Sequence, residues 1–306
     1  MSTVEAFTAP APPELTVPRR RRASGLRGLP LPVRVGGTIL LILALAAIFA
    51  PLIAPYGQNE LDFEHLLGAP SFQHLMGTDE NGRDVFSRTL YALRVDLAIV
   101  VFVTYLPLPI GVLVGAIAGY FGGWVDAIIS RVTDTMIAFP FIVLVIAVIA
   151  IVGPGVKGML IGVPIAAWAL YARLARSEML VLREQQFMLA TTALGYSKWR
   201  AIFRHAVPNL LRSALIYSTI DMVVNLLLLA SLAYLGLGAQ PPNAELGSII
   251  NEGQGTLLSA WWVATLPGLV VVLFGVGAGL VGDGLSDGRR RAGGSAGRLE
   301  NARSRS

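Results

Sequence analysis

Six apolar stretches dominate the sequence, and each approaches the ~20 residues that an α-helix needs to cross a bilayer. Hydrophobic residues make up 54% of the 306 positions, and charged residues only 14%. Because so few polar groups cannot cover so much apolar surface, we expect lipid to be part of the solvent. The sequence therefore predicts an all-α, polytopic membrane helix bundle. Its predicted spans are residues 35–54, 97–119, 135–152, 158–175, 213–237 and 261–282.

The lysines and arginines lie mostly on one side of these spans. If the amino terminus is inside, the cytoplasmic segments hold 20 of the 24 basic residues. We therefore expect both termini in the cytoplasm, and the net charge of +5 marks topology rather than nucleic-acid binding. A secretory signal is the alternative for the first stretch, but its length and poor cleavage site favour a retained anchor.

The sequence divides into two tails and a membrane part. Residues 1–34 are rich in Pro, Ala and Arg, and residues 288–306 in Gly, Ser and Arg. Both tails lack apolar periodicity, so we expect them to be disordered and basic, close to anionic lipid headgroups. Between them we expect a first transmembrane helix with an external segment at 35–94, and a five-helix transmembrane domain at 95–287.

The residue inventory argues against metal and cofactor sites. There is no cysteine, which excludes disulfides, thiolate metal sites and cysteine nucleophiles. The segment Asp79–Asp84 lacks the ligand density of a calcium loop, and we expect Arg83 to pair there with Asp79 or Asp84. We expect no metal and no cofactor. The three histidines look too few and too scattered for a metal cage: His65, His74 and His205.

A cytoplasmic segment between the fourth and fifth spans, residues 183–209, carries the most informative pattern. Residues 183–194 are predicted to form a short helix that Gly195 ends in a left-handed cap. A second short helix is expected from Ser197 to about residue 205, and Pro208 opens the next span. Such a helix-turn-helix can dock into a groove on another protein. An amphipathic loop resting on lipid headgroups fits the pattern alone equally well.

Asp221 is the one clear acidic residue in the middle of a span. A charged side chain there costs ~2.5–3.5 kcal/mol on insertion scales, so we expect it to face the bundle interior or a partner subunit. Asn225 lies one turn later on the same face. A helix–helix hydrogen bond and a contact with substrate both remain open, and the hydrogen bond is favoured.

The 183–209 segment resembles the conserved cytoplasmic loop of ABC importer permeases. That pattern is Glu-Ala-Ala, three residues, Gly, nine residues, then an apolar–x–apolar–Pro ending. Ala190 and Gly195 occupy the second and last positions of the loop core, and Pro208 closes it. Two positions depart, because Leu189 stands in place of Glu and Thr191 in place of the second Ala.

Other stretches resemble the C-type subunit of dipeptide and oligopeptide permeases. His205 with Pro208-Asn209 resembles the His-x-x-Pro-Asn ending seen among peptide permeases. The resemblance covers roughly residues 35–288. The remaining similar stretches are His74-Leu-Met-Gly-Thr-Asp79 continuing to Arg94, Gly119-Tyr-Phe-Gly-Gly-Trp-Val-Asp126, residues 235–242, residues 259–262 and residues 282–285.

The resemblance implies a type I ABC importer permease fold with six transmembrane helices in a bacterial inner membrane. It implies a pore-forming subunit for di- or oligopeptides. Its partners would be a second homologous permease subunit, two cytoplasmic ABC ATPase subunits and an extracytoplasmic substrate-binding protein. ATP-driven closure of the ATPases would then act on the Ala190–Gly195 helix.

The chain itself is not expected to be an enzyme. It has no Gly-x-x-x-x-Gly-Lys-Ser/Thr loop, so ATP must bind to another subunit. A nickel complex and glutathione remain as alternative substrates. A secondary transporter is the competing class, although such proteins usually carry paired intramembrane acids or internal repeats.

Overall fold

The computed structural model describes residues 30–240 and 242–303, with the backbone alone for Thr192 and residues 285–303. Within those ranges the regular elements are helices joined by turns and loops, and one isolated bridge joins Thr78 and Asp84. The helices are α1 Leu31–Ile48, α2 Ala50–Ile53, α3 Val85–Tyr105, α4 Pro107–Phe121, α5 Gly123–Ala138, α6 Phe141–Val152, α7 Val156–Leu182, α8 Gln186–Ala193, α9 Lys198–Ala201, α10 Val207–Tyr234, α11 Leu246–Glu252 and α12 Trp262–Arg303.

The membrane-spanning elements agree with the predicted helix bundle. Among the described residues, five helical runs are long and apolar enough to cross a bilayer, and a bent pair makes a sixth if it is counted as one span. The all-α polytopic bundle is therefore confirmed. The five runs are Leu31–Ile48, Val85–Phe121, Val156–Leu182, Lys198–Tyr234 and Trp262–Gly284.

The bent pair shows where the prediction of spans was wrong. The stretch 135–152 is no single straight helix, because α5 and α6 meet at 91°. Phe139 is extended, with φ −81° and ψ 141°, and Pro140 follows it. Proline lacks a backbone N–H and disfavours a helical residue before it, so the helix ends there. With 12 residues, α6 is only about 18 Å long and cannot cross a bilayer alone.

The second span starts earlier than predicted. Helix begins at Val85, not near residue 97, and the predicted domain boundary at 94/95 falls inside α3. Asp84 caps this helix, because its carboxylate accepts a hydrogen bond from the Ser87 backbone N–H. Hydropathy does not predict this helix start, because the first turns carry charged side chains. One of them, Arg88, is nevertheless buried, and it forms an ion pair with Asp79.

A row of glycines brings α4 against α7. Gly111, Gly115 and Gly119 follow one another at intervals of four residues and therefore lie on one face of α4. A Cβ atom at each would collide with the α7 backbone or side chains. Small residues at this spacing let two membrane helices approach closely. The contact continues to the end of α7, where Arg183 Nη1 donates to the Gly119 carbonyl at 3.1 Å.

The two predicted tails have different outcomes. The first 29 residues of the N-tail lie outside the described residues, as do residues 304–306. The last span was predicted to end near residue 282, but the backbone of α12 continues as helix to Arg303. The backbone over residues 288–303 is therefore helical, whereas the sequence predicted disorder there.

Candidate functional site

The 183–209 segment begins with the glycine-capped helix that its sequence predicts. Helix α8 ends at Ala193, and Gly195 has a φ of +74°. The Tyr196 N–H donates to the Thr191 carbonyl at 3.0 Å, which is the long hydrogen bond of a Schellman motif. No described heavy atom lies within 4 Å of the position that a Cβ would take at Gly195. The left-handed cap is confirmed.

The second half of the segment differs from the prediction in one respect. Ser197 Oγ accepts a hydrogen bond from the Arg200 N–H and starts α9. A π-turn over Ile202–Ala206 then joins α9 to α10, so the predicted short helix runs directly into the span. Pro208 cannot donate to the carbonyl four residues earlier, and Val207 N donates instead to the Ile202 carbonyl.

His205 folds the end of the segment back onto its beginning. Its ring stacks on Tyr196, with centroids 5.8 Å apart and an interplanar angle of 26°. The Arg200 guanidinium lies over the same tyrosine at 4.7 Å. Asn209 Nδ2 donates to the His205 carbonyl at 2.7 Å. The predicted His-x-x-Pro-Asn ending therefore connects the residue after Gly195 to the start of α10.

The segment has one buried face and one exposed face. Met188 is 3% exposed and belongs to an apolar cluster with Ile202 and the α7 residue Tyr171. On the other face Leu189 is 57% exposed and Leu194 is 70% exposed. The segment is thus anchored to α7 and α10 on one side, while the other side presents apolar side chains.

Asp221 lies inside the bundle, as predicted. It is 7% exposed, and its Oδ2 accepts hydrogen bonds from Tyr171 OH at 2.8 Å and Asn225 Nδ2 at 3.0 Å. Asn225 Nδ2 also lies 3.0 Å from Thr104 Oγ1. These four residues form the intramembrane polar cluster, which joins α3, α7 and α10. Tyr171 and Thr104 could not be singled out from the sequence, because isolated hydroxyls in apolar spans are common.

Tyr171 connects the intramembrane polar cluster with the 183–209 segment. Its hydroxyl bonds Asp221, and its fully buried ring lies in the apolar cluster that includes Met188 and Ile202. A continuous set of packed side chains therefore runs from α8 to Asp221. The structure therefore links the 183–209 segment to Asp221 through residues that the sequence did not single out.

An ionic network joins the stretch before α3 to α11. Asp79 Oδ2 accepts from Arg83 Nε at 2.7 Å and from Arg88 Nη1 at 3.0 Å, so the expected Arg83–Asp79 pair is confirmed. Glu252 Oε2 accepts from the same arginines, at 2.8 Å and 3.0 Å. Burial raises the pKa of Glu252, and the charge of Arg83 opposes that shift. The sequence could not show this contact, because Glu252 lies far along the chain.

Asp84 has other partners than the expected arginine. Its Oδ1 lies 3.0 Å from His74 Nδ1, and its Oδ2 accepts from the Ser87 N–H. The rings of His65 and His74 are 5.6 Å apart between centroids. Two of the three histidines are therefore neighbours, contrary to the expectation that they are scattered.

A buried pair of carboxyl groups lies where α11 meets α3. Glu245 caps α11, and its Oε2 accepts from the Ala239 N–H. Asp96 Oδ2 accepts from the Leu246 N–H at 3.0 Å. Burial raises the pKa of Glu245 to about 7. Neither remaining carboxyl oxygen has a hydrogen-bond partner among the described residues.

Comparison with known proteins places these features in a family. The family model for the binding-protein-dependent transport system inner membrane component matches residues 111–289. A model for the N-terminal TM domain of oligopeptide transport permease C matches residues 33–70.

Individual relatives agree with these matches. The dipeptide transport system permease protein DppC of Alkalihalophilus pseudofirmus is 39% identical over 253 residues, which is 83% of each chain. The glutathione transport system permease protein GsiD of Escherichia coli is 40% identical over 249 residues, which is 81% of this chain and 82% of that protein. GsiD of Pectobacterium atrosepticum is 37% identical over 82% of this chain and 84% of that protein.

A solved structure shows the same fold. The inward-facing MetNI methionine ABC transporter aligns with a TM-score of 0.51 at 19% identity, over 64% of this chain and 93% of that one. The fold is therefore that of a type I ABC importer permease. On the family models and relatives together, the chain belongs to the binding-protein-dependent transport system inner membrane components, in the peptide/nickel ABC permease family.

Proposed function

We propose that this chain is a pore-forming subunit of an ATP-driven importer that carries di- or oligopeptides across the bacterial cytoplasmic membrane. Family membership supports the role of permease. Relatives named for dipeptide and for glutathione, itself a short peptide, support the substrate class. The chain performs no bond chemistry in this proposal, and ATP hydrolysis belongs to separate subunits.

The exposed face of α8 is the observation that carries the proposal. Leu189 and Leu194 present apolar surface that no other part of the described chain covers. Such a face fits a groove on a partner protein. The proposed partners are two cytoplasmic ATPase subunits, a second homologous permease subunit and an extracytoplasmic binding protein. With leucine at 189 the ATPase contact is apolar at a position where the family has Glu.

The packing suggests how work reaches the membrane. Closure of the ATPases would push on α8 at Ala190 and Gly195. The apolar cluster around Met188 would transmit the displacement to α7 and α10, where Tyr171 bonds Asp221. Packed interfaces shift between discrete arrangements rather than deform continuously, so a small push can change which side of the bundle is open.

The topology is a separate part of the proposal. Both termini are cytoplasmic, on the basis of the lysine and arginine distribution. Because the chain has no cysteine, single cysteines can report sidedness without background. Cysteines at Gln58, Lys157 and Asn243 should react with an impermeant reagent from outside, and one at Ser197 should not. Outside labelling of Ser197 would overturn both the topology and the proposed role of α8.

Gly195→Val tests the proposed role of α8. A β-branched residue at φ +74° costs roughly 1–2 kcal/mol locally, and it crowds the surface beside α8. We expect the variant to reach the membrane normally but to bind the ATPases more weakly or to hydrolyse ATP without uptake. The measurements are ATPase copurification, and uptake and hydrolysis in proteoliposomes.

Gly236→Val is the matched control. Gly236 has a similar φ of +79° with open space around it, but it follows the other end of α10. It should carry the same backbone cost with normal ATPase association. Normal association, hydrolysis and uptake in Gly195→Val would contradict the proposed role of α8.

Reconstituted transport also tests the class and the substrate. Uptake should require ATP and the external binding protein, whereas a secondary transporter would respond to an ion gradient alone. Competition between labelled dipeptides, longer peptides and glutathione would then identify the preferred substrate. A complex that transports none of these peptides would contradict the substrate class but not the permease role.

A further inference from the structure

Three metal-ligating side chains converge in the external stretch between α2 and α3. His65 Nδ1 lies 2.8 Å from Asp62 Oδ2, and His74 Nε2 lies 3.5 Å from the same oxygen. The three ligand atoms are all within 4.8 Å of one another. Two imidazoles and one carboxylate form a ligand set that suits Zn²⁺, whereas calcium and magnesium prefer oxygen ligands alone.

His74 is already oriented as a metal-binding histidine would be. It is 4% exposed, and its Nδ1 lies 3.0 Å from Oδ1 of the buried Asp84. An ionised carboxylate only accepts hydrogen bonds, so Nδ1 carries the hydrogen and Nε2 faces Asp62. The ring of Tyr56 stacks on His74 at 4.8 Å. A carboxylate behind the imidazole is the usual way in which proteins fix the tautomer of a metal ligand.

The distance between His74 and Asp62 points to a cation between them. At 3.5 Å, His74 Nε2 and Asp62 Oδ2 are farther apart than the 2.7–3.2 Å of an N–H···O hydrogen bond. Two bonds of about 2.1 Å at a tetrahedral angle separate their ligand atoms by about 3.4 Å. In a neutral His74 the Nε2 lone pair faces a carboxylate oxygen, and a bound cation turns this repulsion into two favourable contacts.

The other two ligands leave a route for the ion. The side chain of His65 is 47% exposed and that of Asp62 is 36% exposed. Water can therefore occupy the remaining coordination position, and the ion can enter from solvent. His65 Nδ1 lies at hydrogen-bond distance from Asp62 Oδ2, 2.8 Å, so zinc binding requires the His65 hydrogen to sit on Nε2 and the two ligand atoms to move apart.

We propose that Asp62, His65 and His74 form a Zn²⁺ site on the external face of this permease. The bound ion ties the turn at residues 62–65 to His74, and through Asp84 to the first turn of α3. The site is structural and holds the external stretch in place. This inference stands on the local geometry and does not rest on the proposed transport function.

Zinc titration of the full-length chain tests the site. The protein is purified through a tag without histidine, placed in lipid nanodiscs and titrated with Zn²⁺ against a competing chelator. We expect one zinc per chain and a rise in Tm on binding. His65→Ala and Asp62→Asn should each weaken binding by at least about tenfold, since even second-layer changes at zinc sites cost 10–100-fold. Both change partly exposed side chains, so the fold is kept, and circular dichroism checks this.

Two matched variants serve as controls. His205→Ala removes the histidine outside the site, and Glu64→Gln removes an exposed carboxylate beside Asp62. Both should bind zinc as the unaltered chain does, and excess Ca²⁺ or Mg²⁺ should not compete. The proposal is overturned if zinc does not bind saturably, or if His65→Ala binds it with unchanged affinity. It is likewise overturned if Ca²⁺ displaces the zinc.

Discussion

The external layer, which comprises residues 54–88 and 245–252 and which the proposed topology places outside, differs from the 183–209 segment in where its groups find partners. In the external layer Arg88 is 1% exposed, and both its carboxylate partners belong to the same chain. In the 183–209 segment Leu189 and Leu194 are more than half exposed. The external layer thus pairs Arg83 and Arg88 with carboxylates of the same subunit, whereas the 183–209 segment leaves apolar surface for another molecule.

This difference separates two kinds of mutational effect. Changes in the external layer should appear as losses of stability in the isolated chain, because the contacts that they remove are internal. Changes on the exposed face of α8 should leave the isolated chain stable and alter its association with other subunits. Four substitutions test this difference between the two regions, and they follow in order of decreasing expected effect.

Arg88→Met should have the largest effect on stability. It removes a buried cation between Asp79 and Glu252, and the loss of one partner from a buried ionic network costs about 3 kcal/mol or more. Thermal unfolding in detergent should show a strongly lowered Tm. Arg94→Met is the control, since Arg94 is exposed on the same helix. Equal Tm values for the two variants would show that the external layer does not depend on its ions.

Glu245→Gln should change the pH dependence of stability. The pKa of Glu245 is raised by burial from 4.5 to about 7. The protonated side chain therefore contributes fully to the free energy of unfolding below pH 4.5, and this contribution is lost as the pH rises through 7. The difference amounts to roughly 3 kcal/mol across this window. Relative to the unaltered chain, the glutamine variant should gain Tm between pH 5 and pH 8, since glutamine stays neutral.

The pH comparison needs an exposed acid as its reference. Glu64→Gln should follow the unaltered chain at every pH, because Glu64 is exposed and outside the Asp96–Glu245 contact. Parallel pH profiles for all three proteins would show that Glu245 titrates normally in the folded chain.

Asp221→Leu tests whether polar groups inside the membrane also depend on hydrogen-bond partners in the same subunit. The leucine leaves the buried hydroxyl of Tyr171 without its acceptor, which costs about 1–3 kcal/mol. Asp221→Asn retains an acceptor and should remain close to the unaltered Tm. We expect uptake per assembled complex to survive in both variants. Normal assembly of Asp221→Leu with abolished uptake would instead identify Asp221 as a substrate contact.

Leu189→Glu should have the smallest effect on stability. Leu189 is 57% exposed, and surface changes are usually within about 0.5 kcal/mol. We expect an unchanged Tm but weaker binding of the cognate ATPase, because a carboxylate would replace apolar surface at the contact. A lowered Tm with unchanged ATPase binding would show that Leu189 stabilises the chain itself and does not contact the ATPase.

The sequence predicted those features that follow from local patterns. Five of the six predicted spans, the Gly195 cap and the inward orientation of Asp221 each depend on residues close together in the chain, and the structure confirms them. The helix start at Val85 was not predicted, because a hydropathy scale counts a buried, ion-paired arginine as unfavourable in a span.

Other features depend on residues that only the tertiary fold brings together. Arg88 forms an ion pair with Glu252, and Tyr171 donates a hydrogen bond to Asp221, although the partners are far apart in the sequence. No periodicity or spacing of residues in the sequence predicts such pairs. The 91° turn had a local signal in Pro140. Proline alone does not predict such a turn, because it is tolerated in many membrane helices.

The corner at Pro140 has a consequence for membrane insertion. Backbone groups freed at a helix break cannot face hydrocarbon and must be covered by protein or water. The α6 helix packs along α7, which follows it after a glycine turn at residues 153–155. A partly synthesised chain that ends at α6 has no such cover. We therefore expect α5 and α6 to reach their bent arrangement only after α7 has entered the bilayer, so that α6 and α7 are inserted as one hairpin.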